Sequence, residues 1–456
     1  MIVTLCGTGY RYDVQSVCQL FFPREKFSEE NGKRLTVTLL QDRACAELVL
    51  DGKRYACEEK LAGIYDNVRT SVKKCAYNVL SAATGRKSPW GIVTGIRPAM
   101  LYEKLEDAFA VFTELYGVSA KKAELCADVL KNRATALPYN TENSCSLYVS
   151  IPYCPSRCRY CSFVSEATAR ELKQLPAYVQ VLCRELDEKA QKIKNDKKTL
   201  VTAYIGGGTP TVLEPEELER LLSVMSRLFS GIREFTVEAG RPDTITERKL
   251  ALMHKYGVTR ISVNPQTLND EVLSNIGRRH TAADFYRAYE LASQFPFDKN
   301  VDLIAGLPGD TVAGFCRTLD AVAALRPANI TVHTLYLKRA ADFGAHENVH
   351  AVKQAAEASG VPEMLAYAQE KLYENGYGPY YLYRQKNTVD NLENIGYALA
   401  GKECLYNIYM MDDIPVSYTH LDVYKRQAKP APNSLKKRLK QSKSTRRLRT
   451  VLVFRI

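Results

Sequence analysis

Leu147-Tyr-Val-Ser-Ile151 runs without a break into Pro152-Tyr-Cys154-Pro-Ser-Arg-Cys158-Arg-Tyr-Cys161. The first five residues are apolar-rich and too short for a helix, so they read as a buried strand. The loop after them carries three thiols at CxxxCxxC spacing, able to converge on one metal centre. Thiolates are soft ligands that suit zinc or iron–sulfur clusters. A zinc site wants a fourth ligand close by. No His lies in the loop, and Cys145 sits at the far end of the strand, at about 3.3 Å per residue. Three ligands plus an open coordination position fit a [4Fe–4S] cluster with one iron free for a small molecule. Structural zinc is the other reading of the loop.

Downstream, the same texture repeats. Short Val/Ile-rich runs recur at Val201–Ile205, Phe235–Glu238, Arg260–Val263, Val301–Ile304 and Ile330–Leu335. Helical patterns separate them. In one, Pro215 suits a first turn and Leu218, Leu221, Leu222, Met225, Leu228 and Phe229 share an apolar face. In another, Thr311 caps a helix running through Ala324. Strand–helix alternation six times over predicts an α/β fold, either an open doubly wound sheet or a barrel-like one. In both, ligands gather at the carboxyl ends of the strands. A further helix spans 362–377, followed by a Tyr-rich strand at Tyr380–Arg384.

Those strand ends are polar. The second gives Gly206-Gly207-Gly208-Thr209-Pro210-Thr211, where missing side chains let a ligand approach the backbone closely. The third ends at Glu238, the fourth in Asn264-Pro-Gln266, and the fifth opens with Asp302 before Ile304-Ala-Gly-Leu-Pro308. A polar side chain in a buried strand costs several kcal/mol unless partnered. Recurrence at equivalent strand positions favours one shared polar ligand. Arg278 taken alone reads as a surface residue, and His333 as a packed one.

Before this region, residues 1–140 read as an α+β unit with strands around Leu35–Gln41, Ala46–Leu50 and Lys53–Cys57, and an Asp51-Gly52 hairpin turn. The Gly/Pro-punctuated segment Ser88–Pro98 lies between helical stretches. Nothing there carries recognisable chemistry.

Taken in order, CxxxCxYC, GGGTPT, a Glu-bearing third strand, a fourth ending in Gln, and DLIxGLP resemble radical S-adenosylmethionine enzymes. More narrowly, residues 145–412 resemble the oxygen-independent coproporphyrinogen III oxidase group. Arg97-Pro, Leu337-Lys-Arg, Tyr383-Arg-Gln-Lys-Asn387 and Asn391-Leu-Glu-Asn are similar to its coproporphyrinogen dehydrogenase branch, which also carries an N-terminal extension. The resemblance implies an incomplete six-stranded (β/α) barrel across 145–340, an N-terminal α+β domain, and a region from 341 to 413 that begins to enclose the substrate. It implies that Cys154, Cys158 and Cys161 hold a [4Fe–4S] cluster, and that Tyr148, Gly207 and Glu238 contact the S-adenosylmethionine bound to it. A second adenosylmethionine is implied against Tyr160, Gly208, Thr209, Gln266, Arg278 and Asp302, with Val332 where a backbone contacts adenosine.

The implied reaction is anaerobic. One electron from the cluster cleaves the sulfonium, and the deoxyadenosyl radical takes hydrogen from a propionate. Loss of CO2 leaves a vinyl group, twice per coproporphyrinogen III. An electron donor is required as a partner, its identity unspecified. Two departures from the family pattern stand out. Relatives with the oxidase activity often carry a further Cys two residues after the third, where this chain has Phe163. Haem-chaperone relatives have an aromatic there, so a haem-binding role without decarboxylation is the rival expectation.

The second departure is the end of the chain, where the resemblance stops near Asp413. Val416-Ser-Tyr-Thr-His-Leu-Asp-Val-Tyr-Lys-Arg-Gln427 reads as a translated adapter run, and residues from about 415 as non-native. From Pro415 onward there are six Lys, six Arg and one acidic residue, Asp422, so +11 of the +12 formal charge sits there. The other 414 residues are nearly neutral, which argues against a nucleic-acid partner. No apolar run reaches the roughly 18 residues of a membrane span. The N-terminus lacks a basic segment followed by an apolar one. With thirteen cysteines and no export signal, a reducing cytoplasm is expected.

Overall fold

The computed structural model describes residues 1–411 except 24, 28–31, 62–67, 140, 142, 162–166, 337–358 and 386–387, and then 416–418. Two sheets organise it. In the first, β1 (Ile2–Cys6) lies parallel to β2 (Arg34–Leu39), which pairs antiparallel with β3 (Arg43–Leu50) and through it β4 (Lys53–Lys60). Asp51 and Gly52 join β3 to β4, both at positive φ, as the right-handed twist of a tight hairpin demands. Alternate residues Ala44, Ala46 and Leu48 are buried against helices Arg11–Phe21 and Val68–Thr84, through Val14, Val17, Val72 and Leu80.

The second sheet answers the question that periodicity left open. β5 (Ser144–Ile151), β6 (Thr199–Gly207), β7 (Glu234–Val237), β8 (Arg260–Ser262), β9 (Asp298–Ala305) and β10 (Asn329–Thr334) are parallel, each beside its predecessor. A doubly wound sheet reverses its strand order at a switch point. Here the order never reverses, so the α/β unit is the incomplete six-stranded barrel. Two antiparallel strands the periodicity only half revealed, β11 (Tyr377–Arg384) and β12 (Glu393–Leu399), continue it beyond β10. At the other edge β13 (Val416–Tyr418) lies parallel to β5, giving nine strands. That short strand falls within the stretch read as foreign; residues 419–456 lie outside the described residues.

Element ends moved slightly. The fourth strand stops at Ser262 and Glu238 falls one residue past β7, so both expected polar ends lie in loops rather than strands. The late helix is Val361–Glu374. Helices Pro215–Leu228 and Val312–Ala324 form as expected, the latter with the Thr311 hydroxyl accepting from Gly314 N.

Helix Leu405–Met411 packs against β6 and β11. Glu234, at the start of β7, accepts from Leu405 N and Tyr406 N at 3.0 Å each. A carboxylate there satisfies orphan N–H groups and suits the helix dipole. Arg260 of β8 balances its charge at 3.3 Å. Tyr406 stacks on Tyr204 of β6 at 4.4 Å between ring centroids and lies 6.1 Å from Tyr148 of β5. The lumen therefore has an aromatic floor.

Residues 90–129 bridge the two cores: Ile92 packs with the first sheet. Trp90, Phe112, Val118, Leu125 and Val129 join the barrel's core. Trp90 Nε1 donates to Glu393 Oε2 at 2.6 Å, and Lys122 Nζ pairs with the other oxygen. Arg384 lies over the Trp90 ring, 5.0 Å from its centroid, and donates to Asn391 O at 2.9 Å. No helix among the described residues is long and apolar enough to cross a membrane.

Candidate functional site

The Cys loop is held at both ends by backbone. At its start, Gly208 N bonds Ile151 O at 2.8 Å and Thr209 N bonds Tyr153 O at 2.7 Å, tying the loop to the glycine turn after β6. Further on, Arg159 N bonds Ile276 O at 2.9 Å and Cys161 N bonds Cys158 O at 3.0 Å. Cys158 is buried, while Cys154 and Cys161 are half-buried. The Thr209 hydroxyl donates to Cys154 Sγ at 3.5 Å and an Arg241 N–H to Cys158 Sγ at 3.6 Å.

The glycine turn permits this closeness. A Cβ on Gly208 would lie 2.4 Å from Tyr153 O, and one on Gly206 would meet Glu238 Oε2 at 2.9 Å. Gly207 has φ +110, closed to ordinary side chains, and its Cβ would meet Ser150 Oγ at 2.9 Å. Close packing against the Cys loop, Ser150 and Glu238 thus leaves no room for a side chain at any of the three.

Above the turn, Tyr204 donates to Glu238 Oε1 at 2.6 Å. Burial pushes the Glu238 carboxyl up to about 7; the Tyr204 bond opposes that rise and Asp302 adds to it. Asp302 Oδ2 accepts from Asn264 Nδ2 at 2.8 Å and faces His333 Nε2 at 3.8 Å. His333 is therefore part of the polar lumen rather than simply packed, with Tyr383 at 3.4 Å from its other ring nitrogen. Gln266 is buried at φ +71, its backbone bonded to Asp302 O and Ile304 N.

Arg278, which alone read as a surface residue, is buried. Its guanidinium donates to Gly240 O at 3.1 Å, Asn264 O at 3.0 Å and the Tyr160 hydroxyl at 3.0 Å. It thereby links the Cys loop to the ends of β7 and β8. Its Nε is buried with no partner among the described residues. Val332 precedes His333 on β10. Its side chain is in the core, and its backbone is flanked by Leu303 of β9 and Ile395 of β12. Phe163 lies outside the described residues.

Sequence reasoning missed Tyr204 and Arg241. The signal for Arg241 was present: a charged residue between Gly240 and Pro242, just past a polar strand end. Buried His280 was passed over too. Burial, with Arg278 and Arg241 nearby, lowers its imidazole to about 4, against the opposing pull of Asp243 and a backbone bond at Pro265.

Soft thiolate donors suit iron–sulfur chemistry. Three thiols on one loop, two already receiving hydrogen bonds at sulfur, beside a turn stripped of side chains, fit an iron–sulfur cluster and a ligand against it.

The radical SAM superfamily model matches residues 148–322. An oxygen-independent coproporphyrinogen-III oxidase-like protein of Bacillus subtilis, HemZ, is 39% identical over 363 residues, 77% of this chain and 72% of the relative. The chain belongs to the radical SAM superfamily, in its oxygen-independent coproporphyrinogen-III oxidase-like family. Radical SAM proteins use a [4Fe–4S] cluster and S-adenosylmethionine. The haem chaperone HemW of Bacillus subtilis is 29% identical over 270 residues, 58% of this chain and 66% of the chaperone. The solved coproporphyrinogen III oxidase of Escherichia coli, HemN, aligns with a TM-score of 0.46 at 23% identity, covering 61% of this chain and 59% of that one. This radical SAM protein thus resembles both an oxidase-like protein and haem chaperones.

Proposed function

We propose that this radical SAM protein decarboxylates coproporphyrinogen III oxidatively, without oxygen, to protoporphyrinogen IX. The observation carrying this reading is the extent of similarity to the oxidase-like relative. It reaches 77% of the chain, against 58% for the haem chaperone. In this reading Cys154, Cys158 and Cys161 hold the cluster, and Tyr148, Gly207 and Glu238 contact one adenosylmethionine. Tyr160, Gly208, Thr209, Gln266, Arg278, Asp302 and Val332 serve the second.

When bound, the cluster and adenosylmethionine supply one-electron chemistry that starts hydrogen abstraction from a propionate. The chain's own residues bind, orient and exclude water. The glycine turn lets a ligand lie against backbone. Glu238, poised near 7, accepts an ammonium group by ionising as that charge arrives. The Tyr148–Tyr204–Tyr406 floor keeps water from the lumen base, as radical chemistry demands. Asp302, Asn264 and His333 offer polar contacts on the opposite wall. An electron donor, an acceptor for the electron that the substrate radical gives up as CO2 leaves, and the tetrapyrrole are the partners this reading requires.

The test is anaerobic incubation of the reduced, cluster-loaded protein with coproporphyrinogen III and adenosylmethionine. Protoporphyrinogen and deoxyadenosine are expected. With an intact cluster and neither product, the oxidase reading is wrong. Stoichiometric haem binding without turnover would then favour the haem-chaperone reading, which the aromatic Phe163 and the HemW similarity support.

A further inference from the structure

Arg241 follows β7 in Gly240-Arg241-Pro242 and is 3% exposed. Every N–H of its guanidinium is committed. Nε donates to Asp243 Oδ1 at 3.0 Å, and Nη2 to Asp243 Oδ2 at 3.1 Å and Ser156 Oγ at 3.0 Å. Nη1 donates to Ser156 O at 3.4 Å and to Cys158 Sγ at 3.6 Å. The bidentate Asp243 pairing fixes the plane of the fork. The other edge of the fork then grips the Cys loop at two residues, one of them a thiol. Thr244 closes the turn by donating from its hydroxyl to Arg241 O at 2.8 Å.

A long, entropically costly side chain buried in this way has a purpose beyond filling space. A permanent positive charge beside a thiolate sulfur stabilises negative charge there. Cluster potentials are set by net charge, hydrogen bonds to sulfur and exposure. Burial makes the interaction stronger than it would be in water.

We propose that Arg241 is a positioning residue for the cluster, which both clamps the Cys loop through Ser156 and raises the cluster's reduction potential through its N–H bond to Cys158 Sγ. This rests on Cys158 being a cluster ligand. A purely structural Arg would hold the loop but leave the potential alone. Lys cannot reproduce the fork, because it offers a point charge rather than planar paired donors.

The experiment is anaerobic reconstitution of wild type, Arg241→Lys and Arg241→Gln. Iron and sulfide per chain are measured, and the cluster midpoint potential is titrated by electron paramagnetic resonance. Arg241→Gln is expected to load a cluster whose one-electron reduction is at least tenfold less favourable, a shift of about 59 mV to more negative potential. Arg241→Lys, which keeps the charge, should shift less. If Arg241→Gln does not load, Arg241→Lys decides: a shift to more negative potential supports the proposal. A loaded variant with wild-type potential overturns it, as does Arg241→Lys failing to load while folded like wild type yet recovering wild-type potential on forced assembly. Failure of wild type itself to take up iron would instead refute the cluster reading on which the proposal rests.

Discussion

The Tyr204 hydroxyl on β6 donates a 2.6 Å hydrogen bond to Glu238 Oε1 just past β7, joining two strand ends across the mouth of the lumen. Glu238 is also the group whose carboxyl burial pushes up to about 7. A carboxyl with a folded pKa above its unfolded value of 4.5 contributes its full stabilisation below the unfolded pKa. It loses that contribution as pH rises through 7. Wild type and Glu238→Gln, compared by denaturant unfolding of the ligand-free protein, should therefore diverge between pH 4.5 and 7. Wild type loses ground to the variant as pH rises, by on the order of 1 kcal/mol per pH unit across that window. Parallel curves there would contradict the assignment.

Removing the hydroxyl moves the same group further. The Tyr204 bond lowers the Glu238 pKa, so Tyr204→Phe should carry the carboxyl above 7. Carbon-13 NMR of labelled Glu should read an alkaline displacement of the Glu238 titration. No displacement would mean that the bond does not persist in solution.

Gly208 offers a sharper steric test. Its Cβ would sit 2.4 Å from the Tyr153 carbonyl oxygen, a backbone atom that cannot rotate away. Gly208→Ala must push the turn off the Cys loop and break the Thr209 N to Tyr153 O bond. Iron and sulfide content after reconstitution should fall well below half of wild type while the overall fold survives by circular dichroism.

Glu393 probes the N-terminal region. It is fully buried between Trp90 and Lys122. Burial alone would raise its pKa, but Lys122 and the Trp90 bond bring it below the ordinary carboxylate value. Glu393→Ala strands a nearly buried ammonium and an indole N–H. Loss of one partner of a buried pair typically costs about 3–5 kcal/mol, measured by denaturant unfolding. A loss within about 0.5 kcal/mol, as at an ordinary surface site, would show that residues 90–129 are not braced there.

That brace explains what was legible in the sequence and what was not. The six parallel strands were visible because buried strands are short, apolar and regularly spaced. The Cys loop and glycine turn were visible because their chemistry is local. Trp90 and Glu393 are separated by 303 positions, and no periodicity links a Gly/Pro-punctuated segment to a strand so far away. Arg278, which entered only through the family resemblance, and Arg241, which was passed over, were hard to read from the residues for a related reason. A lone Arg is usually solvated, and only the fold shows that Tyr160, Asn264, Asp243 and Cys158 surround these two. The choice between a barrel and an open sheet depended on strand order, which is tertiary information.

The central claim, that Cys154, Cys158 and Cys161 hold a cluster open to adenosylmethionine, is tested most directly by electron paramagnetic resonance of the anaerobically reconstituted, reduced protein. The account predicts a [4Fe–4S]+ signal that changes on adding adenosylmethionine and is absent from Cys154→Ala, Cys158→Ala and Cys161→Ala. A cluster signal indifferent to adenosylmethionine, or one that survives loss of these thiols, would contradict it.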